Sequence, residues 1–233
     1  MTDTPQFVYA ASPKEPCTFK NFFEETSVKR LLENPGELRY AGWDLQTRAT
    51  ARIIKGEYWE VKSGERKSLQ LYEDGTLITK VSAGADFLGW GRSESDFQSS
   101  PRLNPVALVE FTYNFVSLYA KLSEYLEPRP SATTLRVEIR NAIFDGAQLY
   151  LNPYGIGTYA FLLDDHRYAA AEPSMIREIE ANTALLAARP EIAAYLLLEK
   201  IYVWFGVPTD KIPYVANDQG TKIVDTHLLK IAK

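Results

Sequence analysis

This chain contains only two histidines and one cysteine, so few side chains are available for familiar catalytic chemistry. His166 follows two carboxylates in Asp164-Asp165-His166, a sequence that could orient an imidazole for acid–base catalysis or bind a metal ion. Adjacent residues of an extended chain point to opposite faces, however, so Asp165 and His166 would not easily share a ligand. We interpret the segment as a charged surface turn and keep a hydrolase or nuclease as the third hypothesis.

The remaining motif search favours a protein without a catalytic centre. The sequence has no nucleophile elbow, no zinc-protease helix motif, no Ser-x-x-Lys and no EF-hand loop. Residues 155–157 resemble part of a phosphate-binding loop, but a third glycine is missing. Cys17, the single cysteine, cannot form an intramolecular disulfide. We predict no catalytic residue, no metal site and no cofactor.

Two glycine-aromatic segments suggest a pocket for a small molecule. Glycines at 84, 89, 91, 155 and 157 stand close in sequence to large aromatic side chains. An arginine beside them could bind phosphate or carboxylate, because the guanidinium group matches the geometry of both anions. The second hypothesis is therefore a small-molecule or nucleotide sensor. Its candidate ligand-binding residues are Trp90, Arg92, Arg140, Tyr154 and Tyr159.

Two strongly apolar helices carry the first hypothesis, a non-enzymatic binding or interaction module. The first runs from an Asn104 cap and Pro105 to about residue 126, and the second starts at Pro190 and stops before Gly206. These helices can pack on each other and on a sheet, or they can present an aromatic seam to a protein partner or a second copy. The candidate interface residues are Tyr195, Tyr202, Trp204 and Phe205.

Composition limits the class of partner. The 233 residues carry a net charge of −4 and no dense block of lysine and arginine, which gives no support to nucleic-acid binding. No apolar run approaches the ~20 residues that a membrane-spanning helix needs. The N-terminal residues lack a signal-peptide pattern. Together with the single cysteine, these observations predict a soluble cytoplasmic protein.

The order of patterns predicts an α+β fold in which antiparallel β hairpins pack against the two apolar helices. We predict a flexible leader over residues 1–26, a β-rich lobe over 27–92 and an α+β lobe over 103–233, and leave open that the lobes form one domain. Period-two patterns predict strands at 38–43 and 57–61. Asp-Gly pairs at 74–75 and 145–146 predict type I′ hairpins. Residues 175–188 fit both strand and helix.

The order of elements from residue 64 to 206 resembles the region that follows the AlbA domain in bacterial Schlafen-type AlbA proteins. The shared features are a hairpin, an apolar helix at 104–126, a Leu-x-Val-x-Ile strand at 135–140 and a proline-started helix that ends at Gly206. The AlbA domain itself, with its glycine-rich turn, has no counterpart in this sequence. The resemblance implies an accessory, recognition or regulatory module of a bacterial system and brings no catalytic residue with it.

Overall fold

A computed structural model describes residues 4–36, 38–39, 42–45, 47–89, 94–99, 101–151 and 168–231 of the chain. It has an α+β fold, which confirms the predicted class. A large antiparallel sheet has one face covered by two apolar helices, and four short strand pairs lie outside that sheet.

Among the described residues the large sheet contains seven strands, which we number in chain order. They are β1 (Gln6–Pro13), β2 (Arg52–Ile54), β3 (Tyr58–Ser63), β4 (Lys67–Tyr72), β5 (Leu77–Ser82), β6 (Ala132–Arg140) and β7 (Met175–Asn182). Their spatial order is β7-β6-β1-β5-β4-β3-β2, and every neighbouring pair is antiparallel. The two edges are therefore β2, with three residues, and β7, with eight.

The flexible leader is wrong for residues 6–13. This segment forms β1, which pairs with β5 on one side and β6 on the other in the middle of the sheet. Phe7, Tyr9 and Ala11 alternate toward the core and are fully buried, so hydrophobic burial holds the segment in place. Strands from both predicted lobes thus belong to one sheet. Their buried residues, from Val28 to Leu229, form one hydrophobic cluster.

The helices are α1 (Thr26–Glu33), α2 (Glu94–Ser99), α3 (Pro105–Leu122), α4 (Thr183–Ala188), α5 (Pro190–Trp204) and α6 (Thr226–Ile231). The predicted cap of α3 is present, since the Asn104 carboxamide oxygen accepts hydrogen bonds from the amides of Val106 and Ala107. None of the helices in the described ranges is long and apolar enough to cross a membrane.

The core lies between the sheet and the pair α3 and α5. Tyr9 of β1 packs on Phe111 and Phe115 of α3, with ring centroids 5.5 and 5.3 Å apart. Its hydroxyl is 2.9 Å from the Thr112 hydroxyl, so the polar end of this buried ring is satisfied. These contacts fix α3 against the middle of the sheet and leave the opposite sheet face without a covering helix among the described elements.

The two Asp-Gly turns differ from each other. Asp145 and Gly146 both have positive φ, at 47° and 79°, as a type I′ hairpin requires. In the β4–β5 hairpin only Gly75 has positive φ, so the turn is not type I′. The Asp74 carboxylate accepts a hydrogen bond from the Thr76 amide, and the loop between Tyr72 and Leu77 is longer than the predicted two residues. The predicted strand at 38–43 is also wrong for its described residues, which lie in bends.

Four short strand pairs complete the described fold. Three are antiparallel, Thr18–Phe19 with Leu126–Glu127, Ile143–Phe144 with Ala147–Gln148, and Val215–Asp218 with Thr221–Val224; the parallel one joins Arg102–Leu103 to Tyr150–Leu151. The ambiguous segment 175–188 divides cleanly into β7 and α4, because Asn182 accepts the Leu185 amide and begins the helix.

Candidate functional site

Strand β7 forms one edge of the large sheet. β7 pairs with β6 along all eight of its residues, from Met175 opposite Ile139 to Asn182 opposite Ala132. No strand within the described ranges pairs with its other side. Most of its residues are exposed. An edge of this length, without a partner strand among the described residues, offers a row of N–H and C=O groups to another polypeptide.

The register shows which backbone groups point outward. The Thr183 amide donates to the Ser131 carbonyl at 3.0 Å, so odd-numbered residues of β7 make the hydrogen bonds to β6. By the alternation of an antiparallel ladder, the N–H and C=O groups of Ile176, Glu178 and Glu180 face away from β6. Consistent with this, the Ile176 carbonyl accepts a hydrogen bond of 2.8 Å from the Arg177 guanidinium.

Side chains along this edge are mainly charged. Glu178 and Glu180 share the open face of the sheet, and their side chains are 53% and 60% exposed. Glu180 is 2.7 Å from Lys14, whose pKa rises because of this hydrogen bond and the charge of Glu180. Arg136 lies 3.9 Å from Glu178. Ile176 stands on the same face and is 48% exposed.

A polar groove crosses the open face on the other half of the sheet. Two adjoining cavities of about 350 and 280 Å³ share Glu60, Lys62 and Glu65. Two of the cations around them, Arg52 and Lys80, form no ion pair with any residue in the described part of the chain. Another cation, Lys62, is 2.9 Å from Glu65. The side-chain amide of Gln70 donates a hydrogen bond of 3.0 Å to the Glu60 carboxylate. The lining of the groove is mainly polar and carries charges of both signs.

The candidate ligand residues fall mostly outside the described ranges. Trp90, Arg92, Tyr154 and Tyr159 lie there, as do Asp164, Asp165 and His166. Arg140 is described, and it is already paired with Glu138 through hydrogen bonds of 2.6 and 3.1 Å. This contact holds the pKa of Glu138 below its usual range. A ligand anion at Arg140 would have to compete with Glu138.

The candidate interface residues require a correction. Tyr195, Tyr202 and Phe205 are 4%, 0% and 1% exposed, because these faces of α5 pack into the hydrophobic core. Trp204 is partly buried and stacks edge-on against Phe205, with ring centroids 4.7 Å apart. The four aromatic side chains therefore do not form an exposed seam. The solvent side of α5 instead carries Leu196 and Val203.

A buried ion pair joins the segment before β2 to α3. The Arg39 Nε donates to Glu110 Oε2 at 3.0 Å, and the Glu110 side chain is fully buried. Burial raises the pKa of Glu110, and the contact with Arg39 opposes that rise. Gly42 permits the close approach, since a Cβ there would lie 1.9 Å from Glu110 Oε1. Asn114, on the next turn of α3, donates to the Trp43 carbonyl.

The buried ion pair between Arg39 and Glu110 stabilises the fold and is not accessible to a substrate. Glu110 is closed to solvent, and no group of three or more metal-ligating side chains occurs in the described residues. A general acid or base needs access to its substrate, which Glu110 lacks here. We therefore place the candidate functional site at the β7 edge and the polar groove.

Comparisons with known proteins add no family to this description. No protein-family model matches the chain, and no curated protein and no solved structure gives a match. The resemblance to the region after the AlbA domain remains a prediction.

Proposed function

We propose that this chain is a non-enzymatic interaction module that binds another polypeptide by strand addition at the β7 edge. The observation that carries the proposal is the eight-residue strand whose outer side has no described partner strand. In strand addition, main-chain hydrogen bonds supply affinity and alternate side chains supply specificity. This role fits an accessory or regulatory subunit of a bacterial system, as the resemblance in element order implies, and the cytoplasmic location that the composition predicts.

The asymmetry of the two sheet edges supports this choice of surface. β2 has three residues, so it can offer an incoming chain only a very short ladder. β7 offers eight, more than the about five to six residues of a typical strand. Proline is absent from β7. The backbone of β7 is held along its full length by pairing with β6. Binding of an added strand would therefore cost little conformational entropy in β7 itself, because β7 is already ordered.

A proline at Glu178 tests the proposal without removing the sheet ladder. Glu178→Pro deletes an outward-facing N–H, a position where edge strands tolerate proline. We expect the variant to fold and to lose at least about tenfold in affinity for a strand peptide that binds the wild-type chain. Fluorescence anisotropy with labelled peptides measures this, and thermal unfolding verifies the fold.

Two controls separate backbone pairing from other effects. Glu178→Gln keeps the N–H and should retain strand binding far better than Glu178→Pro. Hydrogen exchange on the wild-type chain should show slower exchange of the Ile176, Glu178 and Glu180 amides when peptide is bound. A proline variant that binds peptide as well as the wild-type chain, with no protection of these amides, would overturn strand addition.

The polar groove favours a second candidate function, a small-molecule or nucleotide sensor. Its basis is the pair of adjoining cavities beside Arg52 and Lys80, two cations that form no ion pair with any described residue. In a thermal-shift panel of nucleotides and phosphorylated metabolites, we expect at least one compound to raise the melting temperature, because ligands that bind only the folded state stabilise it. Lys80→Gln should abolish that shift, and Lys20→Gln, an exposed residue outside the groove, should preserve it. A panel without any shift would exclude this function for the compounds tested.

A further inference from the structure

We propose that the strand bound at the β7 edge presents basic side chains to Glu178 and Glu180 and is not a second copy of this chain. This inference rests on the proposed function, because it assigns the chemistry of the partner to the same edge. Glu178 and Glu180 combine outward-facing backbone groups with side chains that are more than half exposed. The strand that pairs with them must place a side chain directly opposite each carboxylate.

Charge complementarity selects lysine or arginine at those two positions. Directly opposite side chains in an antiparallel pair lie about 4.5–5.5 Å apart at Cβ, so an opposite charge is favourable and a like charge is unfavourable. Each carboxylate already has a cation on its own sheet, Lys14 at 2.7 Å from Glu180 and Arg136 at 3.9 Å from Glu178, but the two glutamate side chains are still 60% and 53% exposed, so a cation of an added strand can approach them from the open side. Ile176, two residues before Glu178, adds an apolar position on the same face.

The same charges oppose the pairing of two copies across the edge. Two copies could pair their β7 strands antiparallel about a two-fold axis perpendicular to the sheet, which places the open faces of both sheets on the same side. Residues opposite each other then point to the same face, so their residue numbers always add up to the same even number, twice the number of the residue at the axis. When Arg177 is at the axis, it meets Arg177 of the second copy. When Glu178 is at the axis, it meets Glu178. With Ile179 there, Glu178 meets Glu180 twice.

In each of these three registers two side chains of like charge lie opposite each other, and every such pair destabilises the association of the two copies. A heterologous partner with alternating lysines avoids this cost in a single register. Glu178 and Glu180 therefore oppose the pairing of two copies at this edge and at the same time favour a strand with basic side chains.

Three synthetic strand peptides test the inference on the full chain. They share one alternating Thr/Val frame and differ only at two positions on one face, which carry Lys, Gln or Glu. We expect the Lys peptide to bind about tenfold more tightly than the Glu peptide, with the Gln peptide between them. The preference should weaken as salt is added, because the charges are exposed.

Charge reversal supplies the matched variant. The double variant Glu178→Lys/Glu180→Lys should reverse the order, so that the Glu peptide binds more tightly than the Lys peptide. Equal binding of the three peptides, with protected β7 amides, would overturn the charge assignment and leave strand addition standing. Failure of every peptide to protect those amides would overturn both. If the wild-type chain self-associates and the Glu178→Pro variant is monomeric, the strand that binds at this edge is β7 of a second copy, and the proposal of a basic partner is wrong.

Discussion

Replacing Tyr202 by alanine is expected to lower the free energy of unfolding by about 3–5 kcal/mol, the usual cost of deleting a buried aromatic side chain. Tyr202 lies in the last two turns of α5 and has no solvent exposure. Its removal leaves a cavity lined by core side chains that can close only partly. Urea denaturation followed by tryptophan fluorescence measures the loss.

The hydroxyl of Tyr202 provides an internal control. It is buried without a hydrogen-bond partner among the described residues, and burial raises its pKa strongly. Tyr202→Phe removes only this unsatisfied group, so we expect stability equal to that of the wild type or higher by about 1 kcal/mol. Trp204→Ala, at a partly exposed ring, should cost less than Tyr202→Ala. If Tyr202→Ala were as stable as the wild type but failed to associate with a partner, the residue would belong to an interface after all.

Local signals in the sequence predict those elements whose structure is set by near neighbours. The Asn104-Pro105 start of α3 satisfies amides two and three residues away, so it can be read without the fold. The same holds for Asp225, which accepts the amides of His227 and Leu228 at the start of α6. Residues 175–188 looked ambiguous because they contain a strand and a helix in succession.

Pairing between distant segments accounts for what the sequence did not reveal. β1 was hidden by the prolines and polar residues around it, although Phe7, Tyr9 and Ala11 alternate with period two and could have indicated a strand. The edge position of β7 depends on the order of all seven strands, which no local pattern contains. The groove likewise combines residues from the distant strands β2 and β5.

The buried position of Glu110 was hidden for the same reason. Glu110 and Asn114 belong to a polar stripe along α3, a pattern typical of a solvent-facing side. In the structure the segment around Arg39 and Trp43, far earlier in the chain, covers the Glu110 and Asn114 part of this stripe, whereas Lys121 farther along it is exposed. A polar stripe on an apolar helix can therefore indicate a buried polar contact instead of a wet surface.

Replacing Arg39 by methionine should then lower the free energy of unfolding at neutral pH by about 3 kcal/mol. The change keeps an apolar stem of similar length and leaves the Glu110 carboxylate buried without its cation. An uncompensated buried charge is costly, since solvent cannot reach it. Chemical denaturation at neutral pH gives the size of the effect.

The pH dependence of this loss identifies its cause. In the wild-type chain the pKa of Glu110 is already raised by burial, and removal of Arg39 should raise it further. A carboxyl group whose pKa is higher in the folded state stabilises the fold below its unfolded pKa, and that stabilisation disappears as pH rises through the folded pKa. The deficit of Arg39→Met should thus shrink as pH falls below the usual titration range of a glutamate carboxyl, because Glu110 is then protonated and no buried charge remains. The control is Glu110→Gln, which has no carboxyl group at this position. Adding Arg39→Met to Glu110→Gln should lower the free energy of unfolding by less, and by the same amount at every pH. If Arg39→Met instead caused an equal loss of stability at all pH values in both backgrounds, Arg39 would act through packing and not through its charge.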